Sequence, residues 1–134
     1  MNSEQIRKEH LSRFPINGRI IAQQVNDYIL YTYNLHLEDL TNKTKHGVAY
    51  KRQGRRGFFA KIATDAKCLI LSFCINGQEE GINKQNELSE MGIAMARTPK
   101  HLETYTREAW VDLSKVSEIA VLIPYIDEAF NKRP

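Results

Sequence analysis

Between residues 41 and 64 the chain has no aspartate and no glutamate, although 16 acids occur elsewhere. The same stretch holds seven basic residues: Lys43, Lys45, Lys51, Arg52, Arg55, Arg56 and Lys61. A net charge of +3 therefore hides a segregated distribution, and segregation says more about partners than the total does. Cysteine is scarce. Cys68 and Cys74 are the only two, and six residues of extended chain separate them by about 20 Å, too far for a disulfide. They read as small buried hydrophobes in a reducing compartment. Long hydrophobic runs are missing as well. The longest, residues 68–75, has the length of a strand and falls short of the roughly 18 residues that span a bilayer. The first ten residues are too polar for a secretory leader. The expectation is a cytoplasmic protein that does not engage a membrane.

Motifs for metal and cofactor chemistry are also missing. His10, His36, His46 and His101 are scattered, without the close spacing of zinc ligands. There is no glycine-rich phosphate cradle of either common type. The reading is no metal site and no cofactor.

At 134 residues, 42% hydrophobic and 26% charged, the chain suits a single domain that folds without staples. Residues 1–14 read as an arm or short helix, ended by Phe14-Pro15. Residues 19–33 repeat apolar positions at threes and fours (Ile21, Val25, Tyr28, Ile29, Thr32), the mark of a helix with one buried stripe. Residues 48–53, 58–63 and 68–76 read as three strands joined by turns at 54–57 and 64–67. The last is the most apolar and is expected to be covered on both faces. Residues 78–99 are polar and interrupted by glycine, which reads as a long connection with one helical turn near 85–90. Alternation over 102–111 predicts a fourth strand. Residues 115–131 predict a final helix, kinked by Pro124. Strands and helices that segregate in this way make an α+β fold: a helix, a three-stranded antiparallel meander, a long loop, a fourth strand, and a C-terminal helix packed on one face of the sheet.

From about Ile29 to Phe130 the chain resembles a family of small, uncharacterised bacterial domains labelled "predicted transport protein", found alone or attached to nuclease and defence proteins. The resemblance rests on Val48-Ala-Tyr-Lys-Arg52, Gly57-Phe-Phe-Ala-Lys-Ile62, Lys67, Leu69-Ile-Leu71, Gly92, and the ending that runs from Val111-Asp-Leu-Ser114 to Ile123-Pro-Tyr-Ile-Asp-Glu-Ala-Phe130. It implies the fold and supplies no catalytic set. The basic Gly54-Arg55-Arg56-Gly57 turn departs from the family pattern.

The functional candidates come from the charge. A β-ribbon tipped by Arg55 and Arg56, flanked by Lys43, Lys45, Lys51, Arg52 and Lys61, with Tyr50 and Phe58 available for stacking, fits phosphate and base contacts on nucleic acid or another polyanion. Exposed strands also carry lysine and arginine simply to prevent edge pairing. A second reading is a protein- or small-ligand-binding domain of a mobile-element or defence system. It would use residues 78–99, with Met91, Met95 and the tyrosines Tyr28, Tyr31 and Tyr33. A remote third reading is a metal-dependent nuclease using Asp65 and Lys67 with Glu38 or Asp39, although Asp65 also suits a plain turn. The balance leans away from an enzyme, and a homo-oligomer stays open.

Overall fold

Alternating apolar residues in consecutive segments build a sheet here, and helical periodicity to either side builds its cover. The computed structural model describes residues 3–35, 40–41, 47–55 and 57–133. Helices α1 (Ser3–Ser12) and α2 (Ile16–Tyr33) precede strands β1 (Leu40–Thr41), β2 (Gly47–Lys51), β3 (Phe58–Ala63) and β4 (Cys68–Ser72). Then come α3 (Glu80–Glu90), α4 (Pro99–Thr104), β5 (Glu108–Val111) and α5 (Ile123–Lys132). The strands form one antiparallel sheet in chain order, β1-β2-β3-β4-β5. The α+β class and the meander expected from the sequence are both present.

The two faces of the sheet differ. Val48, Tyr50, Ala60, Ile62, Leu69, Leu71, Ala109 and Val111 form the main core with Val25 and Ile29 of α2 and Ile126 and Ala129 of α5. Leu11 and Phe14 join it at 3% and 1% exposure, so the N-terminal segment is a helix laid against β2 and α2 rather than a detached arm. On the opposite face a smaller cluster gathers Ala63, Cys68 and Ile70 with Phe58, Ala66, Met95 and Trp110. All five residues of β4 are buried, as a strand flanked on both edges and covered on both faces requires.

A register shift between Tyr50 and Lys51 joins the two faces. Tyr50 pairs with Ala60 while Lys51 pairs with Phe58, leaving Phe59 as the extra residue of a bulge. A bulge resets the alternation of its strand. Phe59 and Ala60 are therefore both buried in the main core, and Phe58 turns to the opposite face.

Three elements differ from expectation. Residues 80–90 are a three-turn helix and not a loop. Gly81 does not interrupt it: a Cβ there would stand 2.2 Å from the carbonyl carbon of Arg107, so glycine lets α3 press on the backbone leading into β5. The strand predicted over 102–111 is confined to Glu108–Val111, because Thr98 accepts the amide of His101 at 3.2 Å and Pro99 occupies the first helical turn, starting α4 instead. The final helix begins at Ile123 after two short 3₁₀ turns, Leu113–Lys115 and Ile119–Val121. Pro124 thus sits in its first turn, where a missing N–H breaks no bond, and makes no interior kink.

Candidate functional site

The basic hairpin forms as read, but its residues divide. Lys43, Lys45 and Arg56 lie outside the described residues. Tyr50 is fully buried. Its hydroxyl donates to Asn26 Oδ1 at 2.6 Å and Arg7 lies over its ring, so it is a core residue and not the stacking surface expected. Its inward register opposite Ala60 dictates this. Arg52 is held against the end of α5. Its Nη1 donates to the carbonyl oxygens of Arg133 and Asn131 at 2.9 and 3.4 Å, and its guanidinium covers Phe130.

Arg133 completes this strap. It donates to the carbonyls of Cys74 and Phe58 at 2.9 and 3.4 Å and lies so close over Gly57 that a Cβ there would meet Nη2 at 2.2 Å. The two arginines fasten the end of α5 to the base of the hairpin. Arg55 remains exposed in the turn. Lys51, Phe58 and Lys61 are half-buried and share the face away from the main core, Lys51 through its pairing with Phe58.

That face carries a groove of about 390 Å³. Its floor is a row across three strands in which Lys61 pairs with Ile70 and Ile70 with Trp110. Phe58, Ala63, Asp65, Ala66, Glu108 and, from α4 and just beyond it, His101 and Tyr105 complete the lining. Arg97 holds the far wall. Its guanidinium donates to the carbonyls of Glu108 and Tyr105 at 2.8 and 2.9 Å, to Gln85 Oε1 at 3.2 Å and to His101 Nδ1 at 3.0 Å. It also covers Trp110. Buried Gln85 in turn accepts the Trp110 amide at 2.7 Å and donates to the Met95 carbonyl at 3.0 Å, so α3, α4 and β5 are locked together.

Electrostatics in this wall follow from those bonds. An Nδ1 that accepts from Arg97 keeps its lone pair, so neutral His101 carries its proton on Nε2. Burial and the adjacent Arg97 charge hold its pKa below the usual histidine value. Glu108 is buried, but its carboxylate accepts the Trp110 indole N–H at 2.9 Å and lies 3.6 Å from Arg107. The indole N–H being taken, Trp110 offers ring surface only.

The other sequence candidates have structural placements. Asp65 Oδ1 accepts the Ala66 amide at 2.8 Å, and Lys67 adopts a left-handed φ of 59°, a turn geometry. Glu38 and Asp39, offered as its metal-binding companions, lie outside the described residues. Among the described residues no group of three or more histidines, cysteines and acids converges on a metal-sized point. Cys68 and Cys74 are buried free thiols, and burial pushes Cys68 up to about 12. Tyr28 and Tyr33 both donate to Asp127, and Tyr33 stacks on Phe130 at 3.9 Å, so they join α2 to α5. Tyr31 projects into solvent at 93% exposure. Among the described residues no helix is long and apolar enough to cross a membrane.

Arg97, Tyr105, Glu108 and Trp110 were not singled out from the sequence, and His101 was weighed only as a zinc ligand. The Glu108-x-Trp110 spacing was the available signal, since period two puts both side chains on one face of a strand. No family model, no curated protein and no solved structure matches the chain.

Proposed function

We propose that this domain is a non-catalytic module that binds nucleic acid or a similar polyanion on the open face of β2 and β3 and along the turn between them. The observation that carries this reading is the bulge. By turning Phe58 away from the core it sets an aromatic ring opposite Lys51 and on the same face as Lys61, at the foot of the turn that carries exposed Arg55. Alternating cations and rings suit a flexible strand, whose phosphates meet the charge while its bases stack. Lys43, Lys45 and Arg56, in the same acid-free stretch, would add further phosphate contacts.

The alternative, a partner surface on residues 78–99, finds less support. Its buried positions, Gly81, Gln85, Leu88 and Ile93, are spent on packing against β5 and the core, and neither its exposed positions nor the tyrosines of α2 line the groove. The test is fluorescence anisotropy with labelled single- and double-stranded DNA and RNA at low and physiological salt. Affinity should fall steeply with salt and collapse in R55E/R56E while the fold persists. Equal affinity in the charge-reversed protein would overturn the assignment.

A further inference from the structure

The groove at the foot of that face is not needed for phosphate contacts alone, yet it is the more elaborately built of the two features. Its volume of about 390 Å³ falls within the usual range for small-molecule sites. Its far wall is held by the Arg97 bonds, so on that side little order is left to impose on binding. Rings dominate the lining: Phe58, His101, Tyr105 and Trp110. Such surfaces accept a planar heterocycle on either face, and Trp110 is restricted to that role because its N–H is committed to Glu108. Lys61 makes no ion pair among the described residues, and it stands two strand spacings from Trp110 across Ile70.

We infer that this groove is a nucleotide subsite, in which a base packs among Trp110, Tyr105 and Phe58 and its phosphate reaches Lys61. The inference deepens the binding role proposed above and rests on it for the polymeric ligand; a free nucleotide offers the same chemistry. Charge gives the site a direction. The Phe58 end adjoins Lys51 and the turn that carries Arg55, and the Glu108 carboxylate at that end is already engaged by the Trp110 indole N–H and Arg107. Phosphates of a bound strand would leave toward the hairpin. The ring N–H that His101 can offer a base is on Nε2, since Nδ1 is engaged by Arg97. The site is thereby biased toward a heterocycle presenting an acceptor edge.

The chain has a single tryptophan, and it lies in the groove, so its emission reports occupancy directly. The full chain should be titrated with AMP, GMP, CMP and UMP, with inorganic phosphate as control, and separately with a labelled ten-nucleotide oligo-U followed by anisotropy. Nucleoside monophosphates should quench Trp110 where phosphate does not. Y105L and K61Q, both at partly exposed positions and checked for unchanged thermal melting, should each weaken binding by about tenfold. Oligo-U binding that leaves Trp110 emission unchanged and survives both substitutions would overturn the subsite while sparing the hairpin. Mononucleotide quenching that is lost in K61Q, without oligo-U binding, would keep the subsite and remove the nucleic-acid reading. No response to either ligand removes both.

Discussion

Neighbouring arginines in one turn can have opposite duties. Arg52 closes a cap on the carbonyls of Asn131 and Arg133, whereas Arg55 stands in solvent. Reversing Arg52 leaves those carbonyls without their donor and places a carboxylate against them. R52E should therefore lower stability by roughly 1–3 kcal/mol, while R55E should stay within about 0.5 kcal/mol of the parent. Urea unfolding distinguishes them, and equal midpoints for the two variants would refute the difference in role. The sequence showed the cluster of cations but not this division, because Arg52 is specified by a helix end some 80 positions away. Tyr50 is a similar case. Its place in an aromatic-basic string suggested stacking, but the register opposite Ala60 points it inward to Asn26. Y50F keeps the ring and loses the hydroxyl with its bond to Asn26 and its contact with Arg7, an expected cost of about 1 kcal/mol.

At the scale of elements, the sheet was legible and its surroundings were less so. Strands β2, β3 and β4 announce themselves through apolar runs and clear turns, because local pattern and burial agree there. Helix α3 was concealed by Gly81, which normally weakens a helix. Here it is required by contact with Arg107 and Glu108, a constraint that arises only once β5 is in place. G81A improves helix propensity, yet its methyl group would overlap the Arg107 backbone. The variant should lose about 1–3 kcal/mol, and a gain in stability would show that α3 can move off β5. Pro124 was misread in the opposite direction. In the first turn of α5 it interrupts nothing, so P124A should change the unfolding free energy by no more than about 0.5 kcal/mol. The bulge at Phe59 had no visible signal, since only the pairing with β2 shows that Phe59 and Ala60 face the same way.

For the whole molecule, burial of titratable groups on both faces of the sheet sets limits on pH. Burial pushes the Cys68 thiol up to about 12 from 9.0 and the Tyr50 hydroxyl up to about 12 from 10.0. The unfolded chain releases these protons first, so stability is fully present below about pH 9 and declines as pH rises toward 12. His101 acts on the acid side. Its folded pKa lies below the ordinary value of 6.5 because burial and Arg97 disfavour the imidazolium. The unfolded chain gains this proton more readily, so stability falls as pH drops through 6.5, before the carboxylates titrate. Unfolding free energy should therefore be flat between about pH 6.5 and pH 9, with a separate origin for each limb. C68A/Y50F should flatten the alkaline limb in part, because Tyr28 and Tyr33 are also held above the usual tyrosine value by burial and by Asp127. H101Q should remove the limb just below 6.5 and leave the alkaline one intact. Urea midpoints measured from pH 5 to pH 11 decide the matter. An acid limb that persists unchanged in H101Q would show that another group produces it and that burial in the groove wall does not hold His101 neutral.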